Sequence, residues 1–90
     1  MSTLQKHADF VRETMGYKPV IAIAGIGDGA GVRLEEIGFT KAYHLLGQFL
    51  VLSRDSAAFD AWLQTEVPRM SSKQRSDCIA CLTEWCDRNL

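Results

Sequence analysis

Two glycines separated by one isoleucine, Gly25-Ile26-Gly27, sit in an apolar frame that leaves the stretch from Val20 to Leu34 few ways to fold. Val20 and Ile23 precede them at helical intervals, and Leu34 and Ile37 follow. The segment therefore reads as two short helices, roughly Val20–Ala24 and Asp28–Ile37, joined by a tight turn. Together they make a helix-hairpin-helix over about residues 20–37. Glycine reaches positive φ and carries no side chain, so N–H groups at the turn and at the start of the second helix can approach a phosphate closely. Such a unit can hold DNA without reading its sequence. Glycine also serves plain αα-turns, and the pattern alone leaves that structural role open.

Size and charge narrow the possibilities. Ninety residues, 47% hydrophobic and 23% charged, make one globular domain over 1–90 and not a disordered chain. A domain this small buries only about 60–65% of its unfolded surface, so its stability needs a supplement, of which dimerisation is one. Ten Lys and Arg stand against eleven Asp and Glu, for a net charge of −1. No global positive field draws this chain to nucleic acid, and any DNA contact must be local.

The N-terminus lacks the apolar core of a secretory signal, and no apolar run approaches the ~20 residues that span a bilayer, so the cytosol or nucleus is expected. Cys78, Cys81 and Cys86 crowd into one predicted helix and read as buried thiols in a reducing compartment. Cys78-x-x-Cys81 has no second ligand pair, so neither zinc nor another cofactor is expected.

Along the chain, Ser2-Thr3-Leu4-Gln5 fits a capping box ahead of a first helix from about Thr3 to Glu13, with Phe10 and Val11 facing the core. Gly38 is placed as the stop of the second hairpin helix. Thr40 then caps a helix from Lys41 to about Leu52. No Asp, Glu, Lys or Arg occurs from Ala42 to Leu52. A helix apolar nearly all round is buried on more than one side, so its second face is expected to meet another chain. Gly47 costs up to ~1 kcal/mol in a helix interior, a cost tolerated for close approach of another backbone. The alternative is the central helix of a monomer.

Asp55 or Ser56 begins a helix to about Thr65, with Phe59, Trp62 and Leu63 at core spacing, and Pro68 closes the loop after it. Ser71 or Ser72 caps the last helix, where Cys78, Leu82, Trp85 and Cys86 recur at i, i+4, i+7 and i+8. Val20–Ile23 is the one short stretch with strand-like alternation. The class is all-α, a compact domain of five to six helices.

Ser72-Lys73-Gln74-Arg75 places two basic side chains and free backbone N–H groups in one first turn, where the helix dipole favours an anion. An ordinary capped, solvated helix end has the same look. Catalysis finds no support: the cysteines occupy core-like positions remote in sequence from His7 and His44, and Glu35-Glu36 and Glu84 with Asp87 read as solvated faces. Ninety residues also leave no second lobe for a base-flipping pocket.

Several segments together resemble the barrier-to-autointegration factor family. They are Gln5-Lys6-His7, Asp9-Phe10-Val11, Met15-Gly16, Lys18-Pro19-Val20, Ala24-Gly25-Ile26-Gly27, Lys41-Ala42-Tyr43, Leu46-Gly47-Gln48-Phe49-Leu50-Val51-Leu52, Trp62-Leu63, Lys73-Gln74, Asp77-Cys78 and Glu84-Trp85-Cys86-Asp87. The resemblance runs from near residue 2 to residue 90. It implies a non-enzymatic, all-α homodimer that binds double-stranded DNA without sequence specificity, one site per subunit, and bridges it in chromatin and in nuclear-envelope assembly. LEM-domain proteins, lamins and histones are the implied protein partners, and the nucleus and cytoplasm the implied compartments.

Carried over by position, the implied DNA site comprises Lys6, the hairpin backbone at Gly25, Ile26 and Gly27, then Gly29 and Ala30, and Ser72, Lys73, Gln74 and Arg75. The implied dimer interface holds Leu46, Gly47, Leu50 and Trp85. The implied groove for a LEM partner holds Gln48, Val51, Leu52, Ala58 and Trp62. This chain departs from the family pattern at several places. Gly29 and Ala30 replace bulkier aliphatics, Val32 and Ser53 replace frequent basic residues, Thr14 replaces a proline and Ala58 a leucine. Arg75-Ser76 follows a one-residue insertion near Pro68. The reduced basic content keeps a second reading open, a protein-interaction adaptor that has lost strong DNA binding.

Overall fold

A spacing of three organises the hairpin's first arm. Val20, Ile23 and Ile26 are all fully buried, and the backbone closes i→i+3 bonds from Ala22 N–H to Pro19 O (3.0 Å), Ile23 N–H to Val20 O (3.1 Å) and Ile26 N–H to Ile23 O (3.1 Å). The arm is therefore a single 3-10 turn, Val20–Ala22, and not the α-helix expected over residues 20–24. Pro19 before it and Ile23 after it are both extended, which leaves too little chain to close an α-helical turn.

The structure, a computed structural model, describes residues 3–90, so the expected capping box on Ser2 lies outside the described residues. Around the 3-10 turn stand five helices: α1 (Thr3–Arg12), α2 (Asp28–Glu36), α3 (Ala42–Val51), α4 (Ser56–Glu66) and α5 (Ser72–Asn89). The strand-like stretch at 20–23 reduces to one antiparallel bridge between Pro19 and Lys41. Val20 N–H donates to Thr40 O (3.0 Å) and Ala42 N–H to Lys18 O (2.8 Å), tying the hairpin to the start of α3.

Caps set the helix boundaries. Lys41, not Thr40, is the N-cap residue of α3. His44, the third helical residue, reaches back, its Nδ1 accepting N–H bonds from Lys41 (3.0 Å) and Thr40 (3.2 Å) as the N3 partner of a capping box does. Asp55 caps α4 by accepting from Ala58 N–H (2.9 Å). Ser71 caps α5 through a reciprocal box with Gln74, Ser71 Oγ taking Gln74 N–H (3.1 Å) and Gln74 Oε1 taking Ser71 N–H (2.8 Å).

Helices α2 and α3 end alike. Phe39 N–H reaches Leu34 O (2.8 Å) and Gly38 N–H reaches Glu35 O (3.0 Å); Arg54 N–H reaches Phe49 O (2.9 Å) and Ser53 N–H reaches Leu50 O (2.9 Å). Both are Schellman closures, which require a left-handed residue just past the helix. Gly38 meets the requirement freely at φ +99°, whereas Ser53 and Arg54 both sit at φ +59° with a side chain attached.

The core lies along α5. Cys78, Cys81, Leu82 and Cys86 form its buried face, against which α1 brings Phe10 and Val11 and α4 brings Phe59 and Leu63. Phe49 of α3 meets Phe59 edge-on at 5.1 Å. Trp62 and Trp85, expected at core spacing, are only half-buried; Trp62 stacks on Phe59 at 5.8 Å and meets Phe39 edge-on at 5.1 Å. Among the described residues no helix is long and apolar enough to cross a membrane.

Ser53→Gly should stabilise the fold by about 0.5 kcal/mol, because relief of left-handed strain, about 1–2 kcal/mol, exceeds the extra unfolded-state entropy of glycine, about 0.5–1 kcal/mol. Thermal unfolding of the variant should show a midpoint about 2–4 °C higher. An unchanged or lower midpoint would show that residue 53 carries no strain.

Candidate nucleic-acid interface

The hairpin glycines do different jobs. Gly25 stands at φ +84°, and a Cβ built there would lie 2.2 Å from Gln74 O and 3.0 Å from Cys78 N. Only a residue without a side chain lets the turn rest on the first turns of α5. Gly27, the N-cap residue of α2, is in ordinary extended backbone at φ −90°, and nothing lies within 4 Å of its Cβ position. It leaves surface open where Gly25 fills a contact. Between them Ile26 is fully buried. Its N–H is bound to Ile23 and its carbonyl accepts from Lys6 Nζ at 2.9 Å, so Ile26 wedges the turn into the core.

With glycine at the N-cap, α2 has no side-chain cap. Gly31 N–H closes onto Gly27 O (2.8 Å), while the N–H groups of Asp28, Gly29 and Ala30 have no partner among the described residues. These uncapped donors carry the positive end of the helix dipole, equivalent to roughly half an elementary charge. In α5 the box satisfies Ser71 and Gln74 and leaves the Ser72 and Lys73 N–H groups open. Both helix starts border one groove of about 620 Å³, lined among others by Gly27, Gly29, Ala30, Arg69 and Gln74.

Charge at the groove is thinner than the sequence suggests. Lys73 is exposed but pairs with Asp77 at 3.1 Å. Arg75 turns inward, its side chain 15% exposed, with Nε on Asp60 at 2.8 Å and Nη1 on Met70 O at 3.0 Å. Of the two basic side chains expected at this helix start, the fold offers one. Hydrogen bonds from Arg75, and then Gln64, hold the Asp60 carboxyl below the usual carboxylate range. Lys6 lies behind the hairpin, where burial holds its ammonium below its ordinary pKa against the opposing pull of nearby acidic groups, Asp28 among them.

Two arginines escaped the sequence reading. Arg33, on α2, donates from Nε to Glu66 O (2.9 Å). Arg69 is exposed at the groove edge; the Pro68-Arg69 pair, a turn signal followed by a cation, was the available clue.

At the other end of α5, Glu84 is tied and not simply solvated as expected: His7 Nε2 lies 3.0 Å from its Oε1 and Arg88 Nη2 3.2 Å from its Oε2. Asp87 likewise holds Arg54. The His7 hydrogen bond is the main reason the Glu84 carboxyl lies low. Burial pushes the Cys78, Cys81 and Cys86 thiols up, which disfavours the reactive thiolate. Among the described residues no three His, Cys, Asp or Glu side chains gather as a metal site.

The positions implied for protein contacts fall on α3, α4 and α5 and the turn after α3. Leu46 is buried and Gly47 half-buried, with nothing within 4 Å of the Gly47 Cβ position. Leu50 and Val51 are 39% and 75% exposed. Trp85 carries a buried Nε1 with no acceptor among the described residues. Gln48, Leu52, Ala58 and Trp62 are half-buried.

An uncapped helix start joined through a glycine contact to a second helix start defines a small helix-hairpin-helix domain that presents main-chain donors to an anionic ligand. The chain belongs to the barrier-to-autointegration factor family, which is non-enzymatic and DNA-binding. The family described as Barrier to autointegration factor matches residues 1–89. Identity to Barrier-to-autointegration factor of Danio rerio is 57% over 86 residues, covering 96% of this chain and 94% of that one. Against the Homo sapiens protein it is 55% over 87 residues, 97% of each chain. Against that of Drosophila melanogaster it is 51% over 88 residues, 98% of this chain and 97% of the relative. The homology is close and extends to a DNA-bridging function in chromatin organisation and nuclear envelope assembly.

Gly25→Ala should cost about 2–3 kcal/mol, combining an overpacked contact with a left-handed alanine; chemical denaturation at equilibrium measures it, and a loss under about 0.5 kcal/mol would mean the turn does not rest on α5. Acid should also destabilise the fold. Glu84 and Asp60 are held below their unfolded values, so their contribution is full above the usual carboxylate range and fades as pH falls through the lower, folded values. Glu84→Gln combined with Asp60→Asn should flatten the fall in unfolding midpoint between about pH 5 and pH 3.

Proposed function

We propose that this protein is a homodimer, each subunit one domain over residues 1–90, that binds double-stranded DNA without sequence specificity and bridges it in chromatin organisation and nuclear-envelope assembly. The observation that carries the reading is the row of N–H groups at Asp28, Gly29 and Ala30 with no partner among the described residues, opened to solvent by the bare Gly27. Main-chain donors meet phosphate, and phosphate is the same on every sequence. In this assignment Gly25 seats the hairpin, Gly27, Gly29 and Ala30 give the amide face, and Lys6 lends charge from behind. Ser72, Lys73 and Gln74 supply the second helix start, and Arg75 braces it.

Size supports pairing. The molecule measures 29 × 28 × 23 Å, less than the ~34 Å of one DNA turn. One groove on such a body reaches one stretch of backbone, and holding two duplexes takes a second copy. Leu46, Gly47 and Leu50 with Trp85 are assigned to that contact. The open space over Gly47 and the exposed Leu50 favour it. Gln48, Val51, Leu52, Ala58 and Trp62 are assigned to a LEM-domain partner, with lamins and histones as further partners. The nucleus, at chromatin and envelope, is the assigned place of action, with a cytoplasmic pool.

One observation favours the adaptor as a second reading: seven of the ten lysines and arginines already hold a carboxylate within 4.0 Å. Fluorescence anisotropy separates the two. The DNA-bridging reading expects unrelated duplexes of one length to bind alike at fixed salt, with a log–log salt slope of about −0.9 per neutralised phosphate. Light scattering should report a dimer alone and a larger particle with duplex. Gly27→Glu, whose side chain enters empty space, should keep the fold and the dimer and lose binding. A dimer that binds no duplex would leave the adaptor.

A further inference from the structure

The connection between α4 and α5 is a tight turn held at both ends. Met70 N–H closes onto Val67 O at 3.1 Å, and Val67 and Met70 are themselves buried, at 2% and 4% exposure. Pro68 occupies the second position, where its ring pre-sets φ. Arg75 then grips the Met70 carbonyl with Nη1 while its Nε holds Asp60. The third residue of this pinned turn is Arg69, which faces the solvent at the rim of the groove bordered by Gly27, Gly29 and Ala30.

Arg69 is also unusual in charge. Seven cations are spent on carboxylates and Lys6 on the Ile26 carbonyl. Only Lys41 and Arg69 have no acidic or carbonyl partner among the described residues, and Lys41 is not part of the groove lining. A guanidinium with no carboxylate partner, beside the uncapped start of α2 and the open Ser72 and Lys73 amides of α5, suits an anion with oxygens to accept its planar fork of donors.

We infer that Arg69 is an additional phosphate contact, made to the DNA backbone across the groove from the α2 amides, with Arg75 as its positioning residue. This rests on the DNA-binding reading and deepens it. The contact supplies in the α4–α5 turn some of the positive charge that Val32 does not supply on α2. It adds affinity without adding sequence preference, because the phosphate carries none.

The test is a salt titration of duplex binding by the full chain, read by anisotropy, for the unchanged protein and for Arg69→Gln, Arg69→Lys and Arg88→Gln. Arg69→Gln should lower the magnitude of the log–log slope by about 1 and weaken binding by one common factor on two unrelated duplexes. Arg69→Lys should restore the slope, and Arg88→Gln, at the far end of α5, should leave it unchanged. Arg69 is exposed, so unfolding midpoints equal to that of the unchanged protein are expected throughout. An Arg69→Gln slope and affinity equal to those of the unchanged protein would overturn the inference and leave the DNA-binding reading standing. Failure of the unchanged protein to bind either duplex would overturn both.

Discussion

The absence of a single methyl group holds this architecture together. At residue 25 the turn backbone lies so near α5 that a Cβ would sit 2.2 Å from Gln74 O, and no rotamer escapes such a clash because the offending atom is bonded directly to Cα. Through that contact the hairpin and the start of α5 become one body. Lys6 of α1 adds a strap to the Ile26 carbonyl, and the Ser71–Gln74 box keeps the α5 end from fraying where the turn leans on it. Ile23, Ala24 and Ile26 then seal the joint, all fully buried.

What emerges is a surface whose positive character comes chiefly from geometry. The chain's net charge is −1, and most of its cations are neutralised close by. Two helix starts nevertheless border one groove, and a helix dipole is worth roughly half a charge at its start, fading within a turn. Such a field is invisible at a distance and strong at contact. It matches a ligand whose charge is dense and regularly spaced.

Much of this was legible in the residues. The spacing around Gly25 and Gly27, the stop at Gly38 and the capping signals at Asp55 and Ser71 are local chemistry, and local chemistry is what a sequence displays. The 3-10 turn at 20–22 was not, because apolar residues three apart fit either helix and only the extended Pro19 and Ile23 decide. His44 as the reach-back acceptor at the third helical position lies outside the usual pair of Glu and Gln. Ser53 at positive φ carries no glycine to announce it. Arg75 turned inward for a partner fifteen residues away, and Glu84 was claimed by His7 across seventy-seven; such pairings belong to the packed state and leave no periodicity behind.

A grip made of main-chain groups has an unusual tolerance. Exchanging the residue at 28, 29 or 30 does not delete a donor, since the amide hydrogen belongs to every residue but proline. On the proposed reading, smaller or more neutral residues at these positions leave the donors in place. Vulnerability concentrates instead on bulk at 25, on obstruction at 27 and on the ring of a proline, so loss of hold here would arrive abruptly and at few places.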